Sequence, residues 1–212
     1  SGPGDVDAFT FTGSLNQRVI IDAVATSGSG FNTAISLYPP GGGVSPASTT
    51  GDRLEFQLNA VGTWTIVIED SGDDTAGGYS LSMLNVTTGP LSNGSDTDGG
   101  AITSNQIVNG NIQDGVDLDA FTFFGFAGTR VFISGIATSG TLNTTLVLYP
   151  ANGAPAEVGS NSGDAIDWQL LTTGTYTVVV EDYGNDNTGT YTLSMVNLNA
   201  GPFIDGGDNN GG

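Results

Sequence analysis

"VIEDSGDDTAGGYSLSM" spans residues 67–83, and "VVEDYGNDNTGTYTLSM" spans residues 179–195. In each, an apolar run stops at an acidic, glycine-bearing turn, and alternation then resumes in a second apolar run. A period of two is the mark of a half-buried strand, so each stretch reads as two strands joined by a turn. Its presence twice in one chain raises two questions: how much of the chain is duplicated, and what the acid is for. The acid can bind a cation, hold the turn, or simply stay in water.

The duplication extends outward from these stretches. "DAFTF" starts at Asp7 and again at Asp119, "ATSG" at Ala25 and Ala137, and "LYP" at Leu37 and Leu148. "GT" plus an aromatic starts at Gly62 and Gly174, and "LSM" at Leu81 and Leu193. The spacing is 111 or 112 residues throughout. That is too long for a solenoid repeat and matches a whole domain, so a tandem pair is expected. Gly89-Pro90 closes the first copy and Gly201-Pro202 the second. The expected organisation is a first repeat over 1–91, a Gly/Ser/Asp linker over 92–100, a second repeat over 101–202, and a following linker over 203–212. Because the sequence stops inside a linker-like stretch, a longer chain with a further copy is expected.

Each copy reads as strands. Phe9 and Phe11 alternate with Thr10, Leu54, Phe56 and Leu58 share one face, and so do Trp64, Ile66 and Ile68. Tyr79, Leu81 and Met83 form another apolar face. Phe121 and Phe123, Ile166, Trp168 and Leu170, Tyr176, Val178 and Val180, and Tyr191, Leu193 and Met195 repeat the scheme. Thr, Val, Ile and aromatics suit a pleated surface, and no stretch has helical periodicity. Short strands with Gly and Asn turns predict an all-β fold of two tandem antiparallel β-sandwiches. Phe9, Phe11, Trp64, Ile66, Tyr79 and Leu81 are the expected first core. The second copy alone has "ITSNQIVNGNIQDG" before its Asp-x-Asp start, where Ile107, Val108 and Ile112 predict an opening strand. The first copy is therefore expected to lack an edge strand, completed by a preceding linker or by a strand from a neighbouring subunit.

Composition narrows the function. Of 212 residues only 3 are Lys or Arg, against 22 Asp plus Glu, for a formal net charge of −19. Nucleic acid and anionic membranes both want a basic surface and are excluded as partners. Cations, basic surfaces or life at high salt fit better. There is no cysteine and no histidine, so disulfides and thiolate or imidazole metal sites do not arise. No apolar run is long enough to cross a bilayer, and the stretch shows no signal peptide, as expected of a mature or excised segment. Abundant Gly, Thr, Ser, Asn and Asp suit an extracellular or cell-surface protein.

Calcium takes six to eight oxygens from carboxylates, amides and carbonyls, which makes two places candidates. One is the pair of acidic loops: Glu69, Asp70, Asp73 and Asp74 in the first copy, with Glu181, Asp182, Asn185, Asp186 and Asn187 in the second. There the competing reading is a solvated turn. The other is the pair of Asp-x-Asp starts, Asp5 with Asp7 and Asp117 with Asp119, joined by Asp114 or by Asp96 and Asp98. There the competing reading is an aspartate that caps a turn through backbone amides. Catalysis is disfavoured. No His, Lys or Cys is available. A carboxylate pair such as Glu55 and Glu69 can run glycoside hydrolysis, but Glu55 becomes Asp167 in the second copy. Trp64 and Trp168 sit at core-facing phases, which leaves Tyr38, Tyr149 and Tyr183 as the better surface candidates, with packing at a strand end as the competing reading for each. Asn85, Asn93 and Asn143 begin glycosylation sequons.

Together, "DVDAFTF" and "DLDAFTF", "ISLYP" and "LVLYP", "GTWTIVI" and "GTYTVVV", and "GGYSLSM" and "GTYTLSM" resemble the bacterial pre-peptidase C-terminal domain. The resemblance covers both copies and nearly the whole chain apart from the linkers. It implies a secreted, non-catalytic sandwich of jelly-roll type that accompanies secreted proteases, other hydrolases or large surface proteins. Related collagen-binding modules bind calcium and a polymeric substrate. The expectation is a calcium-assisted structural or adhesive segment of a surface protein or fibre. Its partners would be copies of itself, adjacent repeats, or an extracellular polysaccharide or protein polymer. The rivals are a carbohydrate- or protein-binding pair attached to a secreted hydrolase, and a fragment of a halophilic enzyme.

Overall fold

The computed structural model describes residues 4–88, 96–159 and 164–199. The chain folds as two compact units, residues 1–85 and 86–212. It is all-β, and its strands follow the periodicity of the sequence.

In the first unit the strands are β1 (Asp7–Gly13), β2 (Arg18–Ser27), β3 (Thr33–Tyr38), β4 (Ala47–Thr49), β5 (Arg53–Gln57), β6 (Gly62–Asp70) and β7 (Gly78–Asn85). They form two antiparallel sheets, ordered β1-β6-β3-β4 and β5-β2-β7. Val19, Ile21, Ile35, Leu37, Leu54, Leu58, Trp64, Ile66 and Ile68 fill the space between them. Trp64 has no exposed surface; its ring lies 6.0 Å from that of Phe56, and its Nε1–H donates to the Ala60 carbonyl at 3.3 Å.

The second unit contains β8 (Gly99–Ala101), β9 (Gln106–Ile112), β10 (Asp119–Gly125), β11 (Arg130–Ala137), β12 (Thr144–Tyr149), β13 (Val158–Gly159), β14 (Ala165–Gln169), β15 (Gly174–Asp182) and β16 (Gly189–Asn197). Its sheets are β13-β12-β15-β10-β8 and β14-β11-β16-β9. Seven of these strands repeat the order of the first unit, β10 standing where β1 stands and β16 where β7 stands. Even the registers match: Phe11 pairs with Trp64 and Phe123 with Tyr176.

The buried hydrogen bonds are repeated too. Thr33 donates its hydroxyl to the Ala23 carbonyl and the Asp52 carboxylate, and Thr144 does the same to Gly135 and Asp164. Polar groups removed from water need such partners, so this part of the repeat serves the fold.

The two units differ at one edge. β9 pairs antiparallel with β16, and β8 runs parallel beside β10, so the segment before β10 adds one strand to each sheet. Residues 99–100, expected as linker, are thus strand. Among the described residues no strand lies beyond β1 or β7. This corrects the expected first core: Phe9 is 42% exposed, while its counterpart Phe121 is 2% exposed. Phe9 has the expected phase, but on an open edge the correct phase does not bury a side chain. Tyr79, Leu81 and Met83 pack against the core yet stay half-buried for the same reason, whereas Tyr191, Leu193 and Met195 are buried. Of the three candidate surface tyrosines, Tyr149 packs buried at the end of β12, Tyr38 is half-buried at the end of β3 and Tyr183 is exposed. Asn93 lies outside the described residues.

Candidate metal centre

The acidic loops are held by one aspartate each. At the end of β6, Asp70 accepts the backbone N–H groups of Asn32, Asp74 and Thr75 at 3.0–3.2 Å. At the end of β15, Asp182 accepts those of Asn143, Asp186 and Asn187 at 3.0 Å. Three donors to one carboxylate favour its charged form, and those donors, Asn32 first, hold Asp70 down at about 2. Asp73 and Asn185 take left-handed φ values of 56° and 58° in the turns, which Asn and Asp tolerate better than most residues. Glu69 is half-buried and Glu181 buried, while Asp73, Asp74 and Asp186 are exposed. The loops gather no three carboxylates around a point. Their central acids are engaged in holding the turn.

Among the described residues, three carboxylates do converge elsewhere. One oxygen each from Asp96, Asp117 and Asp119 lies within 4.8 Å of the others, and all three residues are buried. Asp119 opens β10, Asp117 sits two residues before it, and Asp96 arrives from the stretch read as a linker. Backbone contacts fix the approach. Asp96 accepts the Asp98 N–H at 3.0 Å and the Gln113 side-chain amide at 3.2 Å. Asp117 accepts the Gln113 N–H at 2.7 Å, and Tyr191 donates its hydroxyl to Asp119 at 2.6 Å. Close by, Asp98 accepts the Asn111 N–H at 2.8 Å and Asp114 the Val116 N–H at 2.9 Å.

This network leaves gaps. Oδ2 of Asp96 and Oδ1 of Asp119 are buried with no hydrogen-bond donor. Buried oxygens without partners are rare and costly. Burial pushes Asp119 up to about 9, with the charges of Asp117 and Asp96 adding to the effect. Burial likewise pushes Asp117 up to about 6, with Asp96, Asp114 and Asp98 adding to it. Three buried carboxylates cannot all ionise side by side without a cation. A shared proton can satisfy the orphan oxygens, and so can a metal ion. All the donors are hard oxygens, which suits calcium rather than a soft transition metal.

The pH dependence follows from the sign of these shifts. A carboxyl whose folded value is raised stabilises the fold while it is protonated, and that contribution fades as pH rises through the folded value. In chelator, the chain is expected to lose stability as pH rises from about 4, where these carboxyls ionise in the unfolded chain, up to about 6 for Asp117 and about 9 for Asp119. Asp119→Asn, which keeps a polar group beside Tyr191, should flatten the upper part of that fall. Denaturant midpoints across the pH series test this. A flat wild-type profile would mean that the cluster is open to water.

The Asp-x-Asp start of the first unit is different. Asp7 accepts the Tyr79 hydroxyl at 2.8 Å, the counterpart of the Tyr191–Asp119 bond. But Asp5 is exposed and Asp7 half-buried, and among the described residues no third carboxylate joins them.

The acid at the position of Glu55, weighed above for glycoside hydrolysis, has an arginine partner in both units. Glu55 is bound by Arg18 at 2.8 Å and its counterpart Asp167 by Arg130 at 2.7 Å. Sequence reasoning missed one surface feature, the exposed ring pair Phe124 and Phe126. They meet edge to face at 5.2 Å, beside a cleft of about 250 Å³ lined by Ile102, Thr103, Phe124 and Asn197. The signal was a departure from the repeat, since "FTFTGS" becomes "FTFFGF" and puts rings where the first copy has Thr12 and Ser14.

No family model matches this sequence, and no curated protein does. Solved structures do. The pre-peptidase C-terminal domain of a collagenase from Bacillus anthracis is 24% identical, covering 46% of this chain and 94% of that one, with a TM-score of 0.38. PliG of Salmonella Typhimurium, a periplasmic inhibitor of g-type lysozyme, is 17% identical over 47% of this chain and 97% of its own, with a TM-score of 0.36. PliG of Aeromonas hydrophila is 14% identical over 46% and 96%, with a TM-score of 0.37.

Proposed function

We propose that the chain is a non-enzymatic, extracellular segment of structural or adhesive β-sandwich repeats, clamped in its second unit by calcium. The observation that carries this reading is the set of buried carboxylates of Asp96, Asp117 and Asp119, two of which have an oxygen with no donor. They would hold the ion, with Asp98 and Asp114 adding negative charge nearby. The ion would supply charge neutralisation and oxygen coordination, tying the stretch before β8 to the start of β10. The role proposed for the ion is mechanical. Calcium is abundant outside cells, where modules with weak sites are common, and a charge of −19 suits a protein that gathers cations. The experiment is thermal melting of the chain in calcium, in magnesium and in chelator at one ionic strength. A calcium-specific rise supports the reading. An equal rise in all salts means screening and defeats it.

The exposed Phe124–Phe126 pair favours a second reading, an accessory module that holds a polymer. Exposed paired rings beside a cleft are suited to stacking on sugars or apolar side chains. On this reading, Phe124→Ser with Phe126→Ser reduces retention on insoluble polysaccharide or collagen about tenfold or more while leaving the melting temperature nearly unchanged, since exposed sites tolerate substitution. If the wild-type chain is not retained on either material, this reading fails.

A further inference from the structure

The cleft beside Phe124 and Phe126 has a chemistry of its own. β8 pairs with β10 only along residues 120–122, and Ile102 closes that ladder by donating its N–H to the Thr122 carbonyl at 2.9 Å. The chain then turns away towards β9, while β10 runs on to Gly125. Backbone groups two residues apart on a strand face the same way, so the N–H and C=O of Phe124 are directed to the side that β8 has left. Among the described residues no strand pairs with β10 there.

The cleft of about 250 Å³ opens at this place, between residues 102–104 and 123–125. Its floor belongs to the core: Ile102, Phe123, Val131 and Met195 are buried. Its polar rim is already engaged. Ser104 accepts the Asn197 N–H at 2.9 Å, Asn197 accepts the Asn199 N–H at 3.0 Å, and Thr103 gives its N–H and hydroxyl to Gln106 at 3.0 and 3.2 Å. None of the chain's 22 acids lines it. Small polar ligands such as sugars are held by placed polar groups, and clefts that enclose a whole small molecule are larger than this one. One large apolar side chain suits the space better, and the bare side of β10 suits the extended backbone that would carry it. Alternation would turn that segment's next side chain outward, towards Phe124 and Phe126, which are 60% and 63% exposed.

Charge selects the partner. All three cationic side chains are bound to acids, Arg18 to Glu55, Arg53 to Asp22 and Arg130 to Asp167, and the net charge is −19. A second copy or any acidic protein is repelled, whereas a basic one is drawn in.

We propose that the cleft at the end of β10 is a docking site for an extended segment of a basic partner protein, which seats one apolar side chain against Phe123, Val131 and Met195 and lays its backbone along Phe124. Only the contact with the ring pair rests on the second reading above.

The test titrates the full chain, isotope-labelled, with the capped peptide Lys-Thr-Phe-Thr-Lys and follows backbone amide shifts. Saturable shifts at residues 102–104 and 123–125 are expected. Replacing the peptide's phenylalanine by alanine should weaken binding about tenfold or more, through the lost apolar burial, and exchanging its lysines for aspartates should abolish it. Thr103→Trp, at an exposed position, fills the mouth of the cleft and should abolish binding with the melting temperature nearly unchanged. Equal binding by the alanine peptide means that charge alone acts and overturns the proposal. So do shifts elsewhere, undiminished binding by Thr103→Trp, the same shifts produced by a soluble oligosaccharide, or self-association of the chain through these residues. A chain retained on polysaccharide or collagen whose cleft amides ignore the peptide defeats the docking and leaves the second reading standing. Cleft shifts that survive Phe124→Ser with Phe126→Ser support the docking and remove only the ring pair from it.

Discussion

Trp64→Ala lowers the stability of the chain by about 3–5 kcal/mol, the usual cost of cutting a large buried ring to a methyl group. Trp64 is wholly buried between the two sheets of the first unit. Its loss removes contacts with Phe56 and leaves the Ala60 carbonyl without its donor. Phe56 and Tyr79, both only partly buried, can relax into part of the space, which sets the lower end of the range. Trp168 provides the control. It packs at the margin of the second core, with Nε1–H donated to Glu157 at 3.0 Å, so Trp168→Ala costs less. Denaturant melts of the two variants decide. Equal losses would show that the two rings do not differ in burial as described.

If calcium binds as proposed, at about a hundred to a thousand times its dissociation constant it is expected to raise the stability of the chain by about 3–4 kcal/mol, the mass-action value for one site on the folded state. Asp96→Ala and Asp119→Asn are then expected to abolish that rise. Asp119→Asn is also expected to be more stable than wild type in chelator above pH 7, because the wild-type carboxyl, ionised in the unfolded chain, must take up a proton to be buried. Asp70→Ala and Asp182→Ala behave in the opposite way. They lower the baseline by releasing three amides each, yet leave the calcium response intact. Calorimetric titration beside melting separates the two groups. A calcium response that survives Asp119→Asn but disappears with Asp182→Ala would move the site to the loops.

The difference between these two sets of acids marks what the sequence could convey. The strands were legible because each side chain's face depends on its own strand: Leu54, Leu58, Trp64, Ile66 and Tyr176 are buried at the phases their spacing predicts. Phe9 was not, because exposure at an edge depends on a strand from elsewhere. The loops attracted attention by their acid density, yet density does not reveal whether a carboxylate is already engaged. Asp70 and Asp182 hold amides that come in part from Asn32 and Asn143, far away in the chain. Asp117 and Asp119 were visible as a motif. Their third partner lay in a Gly/Ser/Asp stretch whose composition reads as linker, although "DTDGG" at 96–100 is echoed by "DNNGG" at 208–212.

The parallel pairing of β8 has a mechanical side. Tension arriving along the chain from before residue 96 meets Asp96 first, then the three residues of β8, and only afterwards the long antiparallel strands. So short a ladder is a weak fastening by itself. A bound ion at Asp96 would anchor the chain to β10 ahead of it, so the load would fall on metal–oxygen bonds before any sheet is sheared. Resistance to pulling is governed by the rate of the first rupture rather than by total stability. Calcium would then act on the second unit as a rivet at its point of entry, changing the force at which it opens more than the temperature at which it melts.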